Sequence, residues 1–309
     1  MTEARSRTDR GAAVAAPSGR NDGWQAYLFV LPALLLFGGF VLLPLGASLY
    51  YGFTRWDGIS PAEWVGWRNY LRALNDGIYL RSYLNVGLYI LGTLVVEVAF
   101  GLVMAVLLNA ERRGFGLLRV LFFSPMVLSM VAAGLLWAFV YDLRFGLLNG
   151  ALEAVGLGTL TRAWLSDPKT ALAAVTLVSG WKYAGFYMII YLAALRRIPP
   201  TLYEAARLDG AGPLQQFFRV TLPLLRETTI VTVLLCVTGG FAAFDLFFAM
   251  TGGGPFNATE IPTTWIVKQA FDRGRFGYGV ALTVIMTVVV GLLSIAYLRL
   301  TQGRSRVEY

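Results

Sequence analysis

Tyr203-Glu204-Ala205-Ala206-Arg207-Leu208-Asp209-Gly210-Ala211-Gly212, continuing to Leu222-Pro223-Leu224-Leu225, is a polar stretch set between two apolar runs of membrane-spanning length. Pro199-Pro200 ahead of it stops the preceding helix, because proline donates no backbone N–H and restricts the residue before it. Thr201 and Glu204, three residues apart, fit a capping box that opens a short helix over 202–208. Gly210-Ala211-Gly212 supplies a turn, and Pro213 suits the first position of a second short helix reaching Phe218, closed by Pro223. The spacing therefore predicts a helical hairpin over 199–225, lying on one surface of a membrane. Ala205, Ala206 and Ala211 offer lipid little apolar bulk but let another protein's backbone come close, which favours a docked partner over headgroups.

Outward from the hairpin the chain is a membrane protein: hydrophobic residues make up 57% of it, and its mean hydropathy is +0.61, far above a soluble domain's. Nothing charged lies between Asp22 and Arg55, between Arg119 and Asp142, or between Arg275 and Arg299. Two further runs hold one charge each, Glu97 and Lys182, and a third holds only Asp245 before breaking at Thr251-Gly252-Gly253-Gly254-Pro255. Since about 20 apolar residues cross the hydrocarbon core, six transmembrane helices are expected, over 26–52, 83–109, 118–141, 171–195, 228–250 and 278–299. The first is too long for a cleaved signal core and stays as an anchor. Residues 1–24, rich in Ala, Arg, Ser and Gly, read as a disordered tail, 25–82 as the first span with an outer loop, and 301–309 as a short second tail.

The chain has no His and one Cys, Cys236, which argues against His-based acid/base chemistry, a disulfide framework and metal catalysis. The formal charge of +8 suits membrane topology and anionic headgroups better than nucleic acid. Six spans put both termini on one side. Of the 26 Lys and Arg, 15 fall on that side, 10 on the other, and Lys182 lies between, so the termini and the hairpin are expected in the cytoplasm.

Glu-Ala-Ala, then Asp-Gly-Ala, Phe and Thr-Leu-Pro-Leu-Leu resemble the EAA loop of binding-protein-dependent ABC importer permeases. Trp64-Val65-Gly66-Trp67-Arg68-Asn69-Tyr70, Phe123-Ser124-Pro125, Phe145-Gly146-Leu147-Leu148-Asn149, Trp164-Leu165-Ser166-Asp167-Pro168 and the Gly-rich break at 251–255 resemble the carbohydrate-uptake branch of that family, in its larger-permease form. The resemblance runs from Pro32 to Leu300. It implies an all-α type I importer permease fold, with a permease core over 83–300 and a cytoplasmic coupling hairpin, in a bacterial cytoplasmic membrane. It also implies four kinds of partner: a second, related permease making a heterodimer, two cytoplasmic ATPase subunits, an extracytoplasmic solute-binding protein, and a sugar or sugar-like cargo. Coupling to the ATPase falls by position on Tyr203, Glu204, Ala205, Ala206, Asp209, Gly210, Ala211 and Phe218. The chain carries no Gly-Lys-Ser/Thr phosphate loop, so ATP and Mg²⁺ belong to the partner ATPase, and this subunit has neither a catalytic residue nor a cofactor of its own.

Ionisable residues inside a membrane are costly unless paired or wetted. Glu97 and Lys182 sit at similar depth, which leaves open whether they form a structural ion pair or face a cavity and touch cargo. By position in the resembling family, the cargo pathway is expected to include Trp181, Lys182, Tyr183 and Phe186 on the fourth span and Phe244 on the fifth; Glu97 on the second joins it through its mid-membrane depth, and Asp245, which matches an acidic position of the family, reads as a structural or gating residue ahead of a sugar contact. Gly239-Gly240 replaces the family's polar residue there and reads as close helix packing or a bend. A stand-alone ion-coupled transporter is the alternative, and would need an inverted repeat that the sequence does not display. An intramembrane enzyme using Glu97 and Asp245 is disfavoured by their different depths.

Overall fold

The computed structural model describes residues 23–110 and 112–302, so the two tails expected at the ends lie almost wholly outside the described residues. The chain forms two compact units, 1–47 and 48–309. The described part of the first is helical from Gly23–Phe37, widens into a π turn over Gly38–Leu42, and continues into Leu43–Tyr51. The widened turn comes directly before Pro44, whose ring would clash with the carbonyl four residues back in a regular α-helix.

In the second unit, Gly77–Leu107, Ala171–Leu195 and Phe276–Thr301 are each long and apolar enough to cross a membrane, as is Tyr27–Tyr51, which begins in the first unit. Two further spans are bent pairs: Phe115–Val127 with Met130–Val140 at 101°, and Pro213–Leu224 with Arg226–Phe241 at 70°. Counting each pair as one span gives the expected six. Two of the expected spans are interrupted, the fifth at the Gly239-Gly240 pair that the sequence read as close packing or a bend. The third breaks at Ser124-Pro125, where a 3-10 turn over Ser124–Val127 leads into Ser129, which caps Met130–Val140 by accepting from the Ala132 N–H at 3.2 Å. The fifth stops at Phe241 and restarts as Phe244–Met250, because Gly239-Gly240 is a poor helix interior and the Ala242 N–H shares the Thr238 and Gly239 carbonyls.

The fourth span, Ala171–Leu195, is the axis of the unit, and glycines set its contacts. A methyl on Gly180 would lie 2.7 Å from Val96 Cγ2, one on Gly101 2.9 Å from Tyr187 Cβ, and one on Gly185 would strike the Phe122 carbonyl. Such approaches let backbones meet where no water drives helices together. At the hairpin end Arg226 Nη2 donates to the Thr301 carbonyl at 2.8 Å, joining the fifth span to the last. At the opposite end Asp76 joins three segments. Its Oδ1 caps Gly77–Thr93 through the Ile78 and Tyr79 N–H groups, and its Oδ2 accepts from Trp265 Nε1 at 3.0 Å and Tyr278 Oη at 2.8 Å. Burial raises the carboxyl, but these four donors outweigh it and hold Asp76 below the usual carboxylate range. A two-stranded hairpin, Thr54–Arg55 with Glu63–Trp64, covers this end.

Candidate functional site

Between the second, fourth and fifth spans lies a cavity of 390 Å³. The second span lines it with Tyr89, Thr93 and Glu97, at four-residue intervals on one helical stripe. Glu97 falls in a π turn over Leu94–Ala99. The fourth span contributes Ser179, Tyr183 and Phe186, and the fifth Cys236, Gly239 and Gly240, with Asp245 just beyond the break. A chain of hydroxyls organises the wall: Tyr89 Oη donates to Ser179 Oγ at 2.8 Å, and Ser179 Oγ donates to Glu97 Oε1 at 2.7 Å. Glu97 is only 4% exposed, and its other oxygen has no partner among the described residues.

Of the residues expected along the cargo path, Glu97, Tyr183, Phe186 and Asp245 meet here. Lys182 does not, and the Glu97–Lys182 ion pair that the sequence left open does not form. The Lys182 ammonium donates instead to the carbonyls of Pro125 at 3.4 Å, Met126 at 3.1 Å and Leu128. Geometry explains the difference. Around the helix axis Lys182 lies about 60° from Ser179 on the side away from Tyr183, which turns it towards the third span, whose broken helix leaves the Met126 and Leu128 carbonyls without N–H partners among the described residues. Trp181 lines a separate apolar groove with Val96, Phe100 and Phe122 and meets Trp137 edge-on at 5.5 Å. Phe244 stacks on Phe248 at 5.2 Å. Sequence reasoning passed over Tyr89, Thr93, Ser179 and Cys236. Stepping back from Glu97 by fours would have found the first two.

The polar hairpin is a second candidate. Its first helix is Pro200–Leu208, with Pro199 as the N-cap and no side-chain cap. The Thr201–Glu204 capping box therefore does not form: Pro200 takes the first helical position, where its missing N–H costs nothing, and Thr201 falls inside the first turn. The helix ends in a Schellman turn. Gly210 adopts φ +80°, the Ala211 N–H bonds the Ala206 carbonyl at 2.9 Å, and the Gly210 N–H bonds the Arg207 carbonyl at 3.0 Å. The second helix starts at Pro213 but does not stop at Phe218. It widens into a π turn over Phe217–Thr221 ahead of Pro223 and continues to Leu224. Tyr203 Oη and Thr221 Oγ1, 3.0 Å apart, join the two helices.

This stiff hairpin presents outward what a soluble surface would hide. Leu208 is 89% exposed, Leu214 and Phe218 are also exposed, and the carboxylates of Glu204 and Asp209 have no hydrogen bond or ion pair among the described residues. Among the described residues no group of three His, Cys, Asp or Glu could hold a metal ion.

Residues 97–306 match a family described as the binding-protein-dependent transport system inner membrane component. The probable ABC transporter permease protein YurN of Bacillus subtilis is 37% identical over 276 residues, covering 88% of this chain and 94% of that protein. The diacetylchitobiose uptake system permease protein NgcF of Streptomyces coelicolor is 34% identical, over 87% of this chain and 81% of its own. Among solved structures, a chain of a bacterial alginate ABC transporter in complex with an alginate pentasaccharide-bound periplasmic protein superposes with a TM-score of 0.79 at 20% identity, covering 93% of this chain and 96% of that one. At that identity the likeness speaks for the fold.

Proposed function

The chain belongs to the binding-protein-dependent transport system inner membrane components, and from that premise we propose that it is a permease subunit of an ATP-driven sugar importer whose polar hairpin seats on a cytoplasmic ATPase. The hairpin carries this reading. A helix fixed by a Schellman turn, with exposed Leu208 and Phe218 beside carboxylates that have no partner among the described residues, is shaped to enter a groove on another protein. The ATPases would use ATP and Mg²⁺, and their closure would move the hairpin as a rigid piece and tilt the fourth and fifth spans attached to its two ends. Placing the hairpin in the cytoplasm places both termini there and the Asp76 end outside, where a solute-binding protein delivers cargo.

The 390 Å³ cavity is this subunit's share of the path, with a second related permease supplying the facing wall. Tyr183 and Phe186 offer aromatic faces, and Glu97, Ser179 and Asp245 offer hydrogen-bonding groups, the combination that holds a polyhydroxylated ring. The diacetylchitobiose permease relative supports a sugar as cargo. Glu204→Lys, or Gly210→Asp at a φ that side chains rarely adopt, is expected to abolish uptake while the protein stays in the membrane. Undiminished ATP-dependent transport in both variants would sink the coupling role.

A further inference from the structure

The Asp76 end of the second unit holds a cleft of 560 Å³, built from the 54–65 hairpin, the helix Arg68–Leu74 and the turn before the last span. Four arginines line it, Arg55, Arg68, Arg72 and Arg275, against two acids, Asp57 and Glu63. Both acids are already engaged. Glu63 pairs with Arg55. Asp57 closes its own turn, accepting from the Ile59 N–H at 2.9 Å, the Ser60 N–H at 2.8 Å and the Ser60 hydroxyl at 2.5 Å; the Ser60 hydroxyl above all, and then these N–H groups, hold its carboxyl down at about 2. Two further carboxylates of this end are engaged as well: Asp76 has its four donors, and Glu260 is buried against Lys268 at 2.5 Å.

Apart from Arg55, the guanidiniums have no such satisfaction. Arg72 lies 4.5 Å over the Tyr278 ring, while those of Arg68 and Arg275 make no hydrogen bond or ion pair among the described residues. The frame beneath is rigid. The buried Asn69 side chain donates to the Gly52 and Thr54 carbonyls at 3.0 and 2.8 Å, and the Gly277 N–H bonds the Trp56 carbonyl at 3.0 Å. An excess of positive charge, carried on a concave surface and left unpaired at Arg68 and Arg275, is a receptor for carboxylates.

We propose that this cleft is a docking site for acidic side chains on the solute-binding protein, with Arg68 and Arg275 as its contacts. The inference rests on the importer reading above, and adds to it where the delivering protein sits and by what chemistry. The cleft lies at the end of the spans away from the ATPase hairpin, the side from which cargo arrives. Exposed charge pairs of this kind set encounter rate and orientation, and screening by salt weakens them.

The test uses the whole transporter, with its partner permease and ATPases, in phosphatidylcholine nanodiscs, and titrates its cognate binding protein while ATP hydrolysis is followed. Arg68→Glu with Arg275→Glu is expected to raise the half-stimulating concentration about tenfold or more at low salt while the maximal rate holds. The Gln pair is expected to give a smaller rise, and added NaCl to weaken stimulation of the wild type more than of the Glu pair. An unchanged half-stimulating concentration, or a loss confined to the maximal rate, would overturn the docking site and leave the importer reading standing. A defect that appears only in discs containing phosphatidylglycerol would assign the cleft to lipid headgroups and overturn it too. A wild-type ATPase that the binding protein never stimulates would remove the importer reading and this inference with it.

Discussion

Two charges meet the fourth span about one turn apart, Lys182 on that span and Glu97 of the second span beside Ser179, and the molecule treats them in opposite ways. At Lys182 the ammonium is saturated by three backbone carbonyls of a broken helix. Beside Ser179, the Glu97 carboxylate receives one hydrogen bond and otherwise borders open volume. A saturated buried charge holds architecture, because its removal strands the groups it served. An under-satisfied one beside a cavity is available to a visitor. The same membrane cost thus has two solutions, one structural and one directed at cargo.

The sharpest way to break that contrast is Lys182→Met, which keeps the length and removes the donors. The carbonyls of Met126 and Leu128 lose their partner at the 101° bend, while Pro125 keeps the Leu128 N–H, and an unsatisfied acceptor inside a membrane is costly. A loss of about 3 kcal/mol or more is expected, read as a marked fall in Tm of the purified protein and low yield in the membrane. Exchanging the two charges, Glu97→Lys with Lys182→Glu, is expected to rescue nothing, since no pair exists to be restored. Recovery of Tm and uptake by the double variant would refute the assignment.

Gly240→Ala should come next. A methyl there would strike the Ile90 side chain, whereas one on Gly239 meets nothing within 4 Å. The first substitution is expected to cost about 1–3 kcal/mol through overpacking. The second should leave Tm unchanged or slightly raised, since alanine outscores glycine in a helix by roughly 1 kcal/mol. Equal effects at the two positions would show that the cavity wall is not where the spacing puts it.

How far the sequence reached follows the same divide. Charge-free runs carry their own length, so the spans were legible, and the hairpin's prolines and glycines announced its turns. The break in the third span was not legible at Pro125, and at Gly239-Gly240 the sequence left close packing and a bend both open, because a helix can carry two glycines and stay continuous when a neighbour packs against them. Lys182 shows the limit most clearly. Depth alone matched it to Glu97, and depth is what a linear count supplies. Rotation about the helix axis, which separates residues 179 and 182, decided the partner. The Thr201 capping box failed for a related reason, since Pro200 competed for the first helical position and won.

Glu97→Gln tests the open half of the comparison. Glutamine keeps the shape and an oxygen to accept from Ser179, so Tm should move by no more than a degree or two, about 0.5 kcal/mol. Uptake through the assembled transporter should fall about tenfold, equivalent to one lost hydrogen bond to cargo. Wild-type uptake in this variant would return Glu97 to a packing role.

The smallest effect concerns a carboxylate satisfied as fully as Lys182 is. Asp76 accepts from two backbone N–H groups, Trp265 and Tyr278, and is held below its ordinary value despite the burial that opposes this. A depressed carboxylate stabilises the fold above its unfolded pKa of about 4, and that contribution is lost as pH falls through the lower folded value. Asp76→Asn can still cap the helix but offers no second acceptor to Trp265 and Tyr278, so a cost of about 1 kcal/mol is expected at neutral pH. The Tm gap between wild type and variant should hold steady from pH 7 to 5 and narrow below about 4. A gap that persists undiminished to pH 3 would mean that the seam depends on the shape of the Asp76 side chain rather than its charge, and the likeness to Lys182 would fail.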